Sequence, residues 1–334
     1  SPAGQQSNFD FSDRVMGGSN ELAMKLAAGP QIAPLYGTAF RSTPVFFLQD
    51  DHDHWENDSP LTYPVPWFQL QLARTTQQLY YPEFLPDATR SSGLPYSSSS
   101  ARGELSESFG TLRYGQLLEI LLYDVRRTLN VGDLNAVFLD SNVENWLIDR
   151  TASRDTRHLV HVPSNPPGWT AGKWGEWYPD VLHPETGRLT TQIPKPHWRE
   201  GWLNQHDRIM KSLAEMKHRN PLVIAGDLHA TGVGTMHGAG NLDFSDNPIT
   251  NILCGPVSTS VRGFPSVVRG VHPAPSQYLN FQEQVTPFEE HGFTIVDFEQ
   301  DRIVAQLFKW DVKSQPIEAI DSLESYYTIE LERP

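Results

Sequence analysis

The chain has 334 residues, 38% hydrophobic and 20% charged, with 40 acidic residues against 26 basic ones and a formal net charge of -14. That length supports a full core in one large domain or two modest ones, and the acidic balance argues against a nucleic-acid partner, which needs a basic face. No apolar run approaches the ~18 to 20 residues of a membrane span, and the single cysteine, Cys254, leaves no intrachain disulfide and no cysteine-based zinc cluster.

The first residues, Ser1-Pro2-Ala3-Gly4-Gln5-Gln6, show neither an initiator Met nor a basic-then-apolar leader, and read as a cut or processed end. Residues 1–30 are polar, with a short helix expected over 20–28. The continuous apolar run 43–49, stopped by acids, reads as a buried strand. A helix is expected over 66–81, opened by Pro66 and stopped by Pro82. The serine-rich stretch 91–100 is a loop.

Residues 112–124 read as one or two strands, 136–140 as a short buried strand, 142–151 as a helix anchored by Trp146 and Leu147, and 159–162 as another strand. The Pro-, Gly- and Trp-rich stretch 165–196 reads as a surface excursion near a site. Ile209, Met210, Leu213 and Met216 give a helix over 205–218, and 221–225 follows as a strand. His237 and Gly238–Gly240 read as a plain loop. Residues 293–298 and 303–310 close as a hairpin turning at 299–302. Alternation of strands and helices, then paired strands, implies a layered α/β fold with a mixed sheet.

Two constellations carry chemistry. Asp50-Asp51-His52-Asp53-His54-Trp55-Glu56-Asn57-Asp58 gathers four Asp, one Glu, two His and one Asn after an apolar run. Ligands in α/β folds sit beyond the carboxyl ends of strands. Carboxylates crowded there repel and lose hydration, which a cation remedies. Oxygen donors suit hard metals and imidazole suits iron or zinc; a solvated acidic loop is the plainer alternative. The second constellation, Gly226-Asp227-Leu228-His229, follows the apolar run Val223-Ile224-Ala225. Gly226 permits an unusual dihedral or a close approach. Asp227 and His229, two apart, face one side if the chain is extended; a capped turn is the alternative.

The chain resembles the PhoD family of alkaline phosphatases and phosphodiesterases, a branch of the metallophosphoesterases. The match runs from about residue 33 to about 310, with its pieces in family order. Thr43-Pro44-Val45-Phe46 leads into Asp50-Asp51-His52-Asp53 with Asn57; Tyr114-Gly115-Gln116-Leu117 leads into Asp124-Val125-Arg126. Phe138-Leu139-Asp140 precedes Trp146-Leu147, and Glu200-Gly201-Trp202 precedes Asp207-Arg208. Gly226-Asp227-Leu228-His229 and His291-Gly292-Phe293 complete the series.

The resemblance implies a metallophosphoesterase-like αββα sandwich of mixed sheets over 31–312, flanked by the segment 1–30 and a C-terminal extension, 313–334. It implies a two-metal centre of iron with calcium, zinc or manganese being other divalent choices. Asn57, Asp227 and His229 are implied as metal ligands, His52 as the group protonating or orienting the leaving alkoxide, and Asp51 as its support. Arg126 and Trp202 are expected on the substrate side, Arg127 being the other candidate for a phosphate-facing arginine. The family also has an upstream Gly-Asp-x-x-Tyr segment and first strands that do not occur here, and Asp140-Ser141-Asn142 stands where it has Asp-x-Arg. A fragment of the same protein is the partner expected to supply the missing motif. The implied activity is metal-dependent hydrolysis of phosphoric esters, in an extracytoplasmic setting; a non-catalytic binding or structural subunit is the alternative. Trp169, Trp174, Trp177, Trp198 and Trp202 suggest either sugar stacking or loop packing, and packing is the commoner use.

Overall fold

The structure, a computed structural model, describes residues 9–34, 37, 40–48, 50, 68, 71, 72, 75, 109–126, 137–195, 201–257 and 263–334. The expected N-terminal helix is α1 (Ser19–Pro34) and is longer than its periodicity implied. Of the helix expected over 66–81, the described residues Phe68, Gln71, Leu72 and Thr75 are helical. A tight hairpin joins β1 (Phe109–Tyr114) to β2 (Leu118–Tyr123), turning on Gly115 at φ 55°. The helix α2 (Ser141–Ala152) then leads into β3 (His158–Pro163). Short pieces follow as β4 (Trp169–Thr170), β5 (Val181–Leu182) and β6 (Leu189–Thr190).

The amphipathic helix α3 (Leu203–Ala214) precedes β7 (Leu222–Ala225) and β8 (Thr231–Ala239). Next come β9 (Leu242–Asp243), β10 (Ile249–Leu253), β11 (Ala274–Pro275) and β12 (Leu279–Phe288). The hairpin expected near the end is β13 (Gly292–Phe298) with β14 (Arg302–Lys309), Phe298 facing Ile303. A further strand, β15 (Tyr327–Glu332), pairs with β14 and ties part of the 313–334 segment into that sheet.

The large sheet runs β1-β2-β3-β7-β10-β8-β12, with β9 on β8. β2, β3, β7 and β10 are parallel to one another, while β1, β8 and β12 are antiparallel additions. Because side chains alternate along a strand, β3 sends Leu159 to one face and Val160 to the other. Leu159, Leu121 and Val223 pack with Val143, Trp146 and Leu147 of α2 and Ile209, Met210 and Leu213 of α3. Val160, Leu222 and Ile252 pack on Ile303 and Ala305 of the β13-β14-β15 sheet. Helices, large sheet and small sheet are three layers of the expected sandwich, and the fold is mixed α/β.

Four expectations need correction. Residues 44–48 form no strand, and Phe46 is 40% exposed; an apolar run becomes a strand only beside a partner edge. Phe138 and Leu139 are fully buried but not in a strand: their N–H groups donate to Gln205 Oε1 at 2.9 and 3.2 Å, and Asp140 caps α2 by accepting from Asn142 N at 2.9 Å. The stretch 237–240, expected as a plain loop, is strand as far as residue 239, where β8 ends. Its glycines are required by close packing, since a Cβ on Gly234 would lie 2.0 Å from the Phe281 ring. Finally, 165–180 is not a surface excursion. Asn165, Trp169, Tyr178 and Asp180 are buried, and the Glu176 carboxylate accepts from Ala171 N and Lys173 N at 2.9 and 3.0 Å, so polar groups within the segment satisfy its backbone.

Candidate functional site

β7 ends at Ala225, and the next residues leave the sheet in a sharp turn. Leu228 N donates to Gly226 O at 2.9 Å, with Asp227 at φ 70° and His229 at φ 51°. The segment is therefore not extended, and the two-apart geometry expected of Asp227 and His229 does not apply. Gly226, expected to supply the unusual dihedral, has an ordinary φ and room for a Cβ. The left-handed conformations fall instead on the two chemistry-bearing residues. Asp and His tolerate that region better than bulky residues, but it is sparsely used and concentrates at functional sites.

The Asp227 carboxylate is fully buried and lies between two cations. Lys173 Nζ donates to Asp227 Oδ1 at 3.0 Å, and Arg126 Nη2 stands 3.3 Å from the same oxygen. Both cationic side chains are themselves buried, at 2% and 1% exposure. A dry ion pair of this kind is costly to break, because each partner left alone would be an uncompensated charge. Asp227 Oδ2 is buried and accepts no hydrogen bond among the described residues. His229 is half-buried beyond it.

Arg126 joins the two constellations. Its Nη2 lies 3.3 Å from Asp50 Oδ1 as well as from Asp227, its Nη1 donates to Gly175 O at 2.9 Å, and its backbone N donates to Asp124 Oδ1 at 2.6 Å. The stretch after residue 43, though not a strand, thus still reaches the end of β7. Phe46, Leu48 and Asp50 line a cavity of about 260 Å³ with Ile224, Asp227 and Cys254. Burial raises the Cys254 thiol to about 11, so it stays protonated and is no nucleophile.

Asp51, His52, Asn57 and Arg127 lie outside the described residues. Trp202 is at 2% exposure in the core, its ring stacked on Phe138 at 4.2 Å, so packing accounts for it and it does not line the cavity. Trp169 and Trp177 are core residues too. Lys173 was missed by sequence reading. The signal was present: one lysine amid Trp169, Trp174 and Trp177, where a buried ammonium needs an acid. Among the described residues no three His, Cys, Asp or Glu side chains come together to hold a metal. The donor that fits a hard cation is Asp227 Oδ2.

No family model matches the sequence, and no curated protein matches it. Among solved structures the chain is similar to the structure of PhoD, with a TM-score of 0.53 over 85% of this chain and 52% of that one, at 13% identity. The chain therefore spans about half the length of that protein, and at this identity the likeness is one of fold.

Proposed function

We propose that the chain is a metal-dependent phosphoric-ester hydrolase, acting on monoesters or diesters. The observation carrying this reading is the buried Asp227 carboxylate in its left-handed turn at the carboxyl end of β7, one oxygen engaged by Lys173 and Arg126 and the other open. In this reading Asp227 Oδ2, His229 and Asn57 hold metal, iron with calcium being the pair the family resemblance implies and zinc or manganese suiting similar donors. When bound, the metal supplies a water of lowered pKa and neutralises phosphoryl oxygens. Arg126 and Lys173 offset the charge of Asp227 and so lessen the repulsion that an anionic ester meets at this end of the sheet. His52 protonates the leaving alkoxide, supported by Asp51.

His229→Ala should lower the metal found by elemental analysis of protein purified without chelator, and abolish hydrolysis of bis-p-nitrophenyl phosphate. Unchanged metal content and rate would overturn the assignment. The second reading is a non-catalytic metallophosphoesterase-like binding subunit. It is favoured by Lys173 and Arg126, which already neutralise Asp227 as a dication would. Protein that carries no metal and cleaves neither mono- nor diester, yet binds phosphate esters, would decide for it.

A further inference from the structure

The parallel strands that end at Asp227 begin at a second charged site. Gln116 and Arg157, just before β2 and β3, are joined by a bond from Arg157 N to Gln116 O at 2.8 Å. Beside them is an open cleft of about 410 Å³ lined by Arg113, Arg154, Arg157 and Arg333 together with Asp155 and Thr156. β3 has six residues, which at ~3.3 Å each puts this cleft roughly 20 Å from the Asp227 end.

Four arginines against one aspartate leave an excess of three positive charges, in a protein whose net charge is -14. Asp155 is already engaged: its carboxylate pairs with Arg113 at 2.8 Å and Arg150 at 3.0 Å. The guanidinium groups of Arg154, Arg157 and Arg333 have no ion pair or hydrogen bond among the described residues. Behind the wall is Arg219, fully buried, whose Nη1 donates to Thr156 Oγ1 at 3.1 Å and whose Nη2 has no partner among the described residues. Burial lowers Arg219 to about 10, so it still adds positive charge at neutral pH. Like charges gathered at this density repel unless an anion shares them. Guanidinium forks match phosphate oxygens in planar, bidentate geometry, and one singly charged anion would leave most of the excess uncompensated.

We propose that this cleft binds a multiply charged phosphate-type anion, one carrying two or more linked phosphate groups. The site is separate from the Asp227 end and does not depend on how that end is read.

Titration calorimetry of the whole chain with inorganic tripolyphosphate tests this, with inorganic phosphate and citrate as comparison anions. Arginine substitutions in this cleft separate it from the other end of the sheet, because they leave Arg126, Lys173 and Asp227 unchanged. Tripolyphosphate should bind at least tenfold more tightly than phosphate or citrate, and its affinity should fall as salt rises. The double change Arg154→Gln with Arg333→Gln, both at exposed positions, should weaken it tenfold or more without moving the melting temperature. Asp155→Asn should tighten it severalfold by removing the one carboxylate in the lining and with it the ion pair that holds Arg113. Wild-type affinity in the double arginine variant would overturn the proposal, as would citrate binding equally well or Asp155→Asn weakening the interaction in protein that melts normally.

Discussion

The two ends of the parallel strands use the same ingredients, carboxylates and cationic side chains, at opposite depths. At the carboxyl end one acid, Asp227, sits between Lys173 and Arg126 with all three side chains almost wholly buried. At the amino end arginines outnumber their one acid, Asp155, whose side chain is 42% exposed. Depth decides what these contacts are worth. Ion pairs out of water are strongly coupled and leave large penalties when half is removed, whereas exposed pairs contribute ~0 to 1 kcal/mol. The carboxyl end is therefore built to hold a fixed geometry, and the amino end to stay adjustable.

The largest effect should come from breaking the buried cluster. Asp227→Asn keeps the shape but removes the charge that Lys173 and Arg126 face. Arg126 retains Asp50 and Gly175 O, while Lys173 loses the charge of the carboxylate it meets at 3.0 Å. A destabilisation of about 3–5 kcal/mol is expected from removing one partner of a buried ion pair, read as a shift of the urea midpoint at constant slope. Adding Lys173→Met should recover much of it, because removing both partners is far less costly than removing one. If the single and double variants are equally unstable, the two residues do not act as a pair.

Midway between the two ends lies His161 of β3, fully buried, with Nδ1 3.2 Å from the Tyr123 hydroxyl and Nε2 2.8 Å from the Thr151 hydroxyl. Burial, with help from the positive charge of Arg219, lowers it from an ordinary 6.5 to about 3. The folded state therefore holds this ring neutral while the unfolded chain takes up a proton below about 6.5. Between those values the unfolded state binds more protons, so stability should fall as pH drops from 6.5 towards 3, by up to about 1.4 kcal/mol per pH unit for this group. Denaturation midpoints across that range measure the slope, and His161→Asn should flatten it. An unchanged slope in the variant would assign the acid sensitivity to other groups.

Sequence legibility divides along similar lines. Local signals carried α2, α3, β3, β7 and the β13-β14 hairpin, because each is a short apolar pattern read from neighbours along the chain. The same locality made Gly226-Asp227-Leu228-His229 stand out. It could not show that the turn puts Asp227 and His229, rather than Gly226, in the left-handed region. β8 was hidden because its glycines, which packing against Phe281 requires, look like loop residues in one dimension. Lys173 was hidden because its acid is 54 positions away, and the buried stretch around it has no periodicity. The residues after 43 were read as a strand from composition alone, and only the fold shows that they reach Arg126 without one. Contacts that close the site are long-range and charged, and no hydrophobic period encodes them.

The smallest predicted effect is the sharpest check on the comparison. Asp155 accepts from Ser153 Oγ, Arg113 and Arg150, and on a count of contacts it looks as well held as Asp227. Arg150 also pairs with the buried Glu119, so it keeps a partner when Asp155 is neutralised. Arg113, at 39% exposure, regains water. Asp155→Asn should therefore cost no more than about 1 kcal/mol, and that cost should shrink in added salt, which screens exposed pairs and barely touches buried ones. Measuring midpoints for Asp155→Asn and Asp227→Asn side by side at low and high salt separates depth from contact number. Equal losses, or equal salt dependence, would mean that burial does not distinguish the two ends and that the arginine cleft is as rigid as the Asp227 cluster.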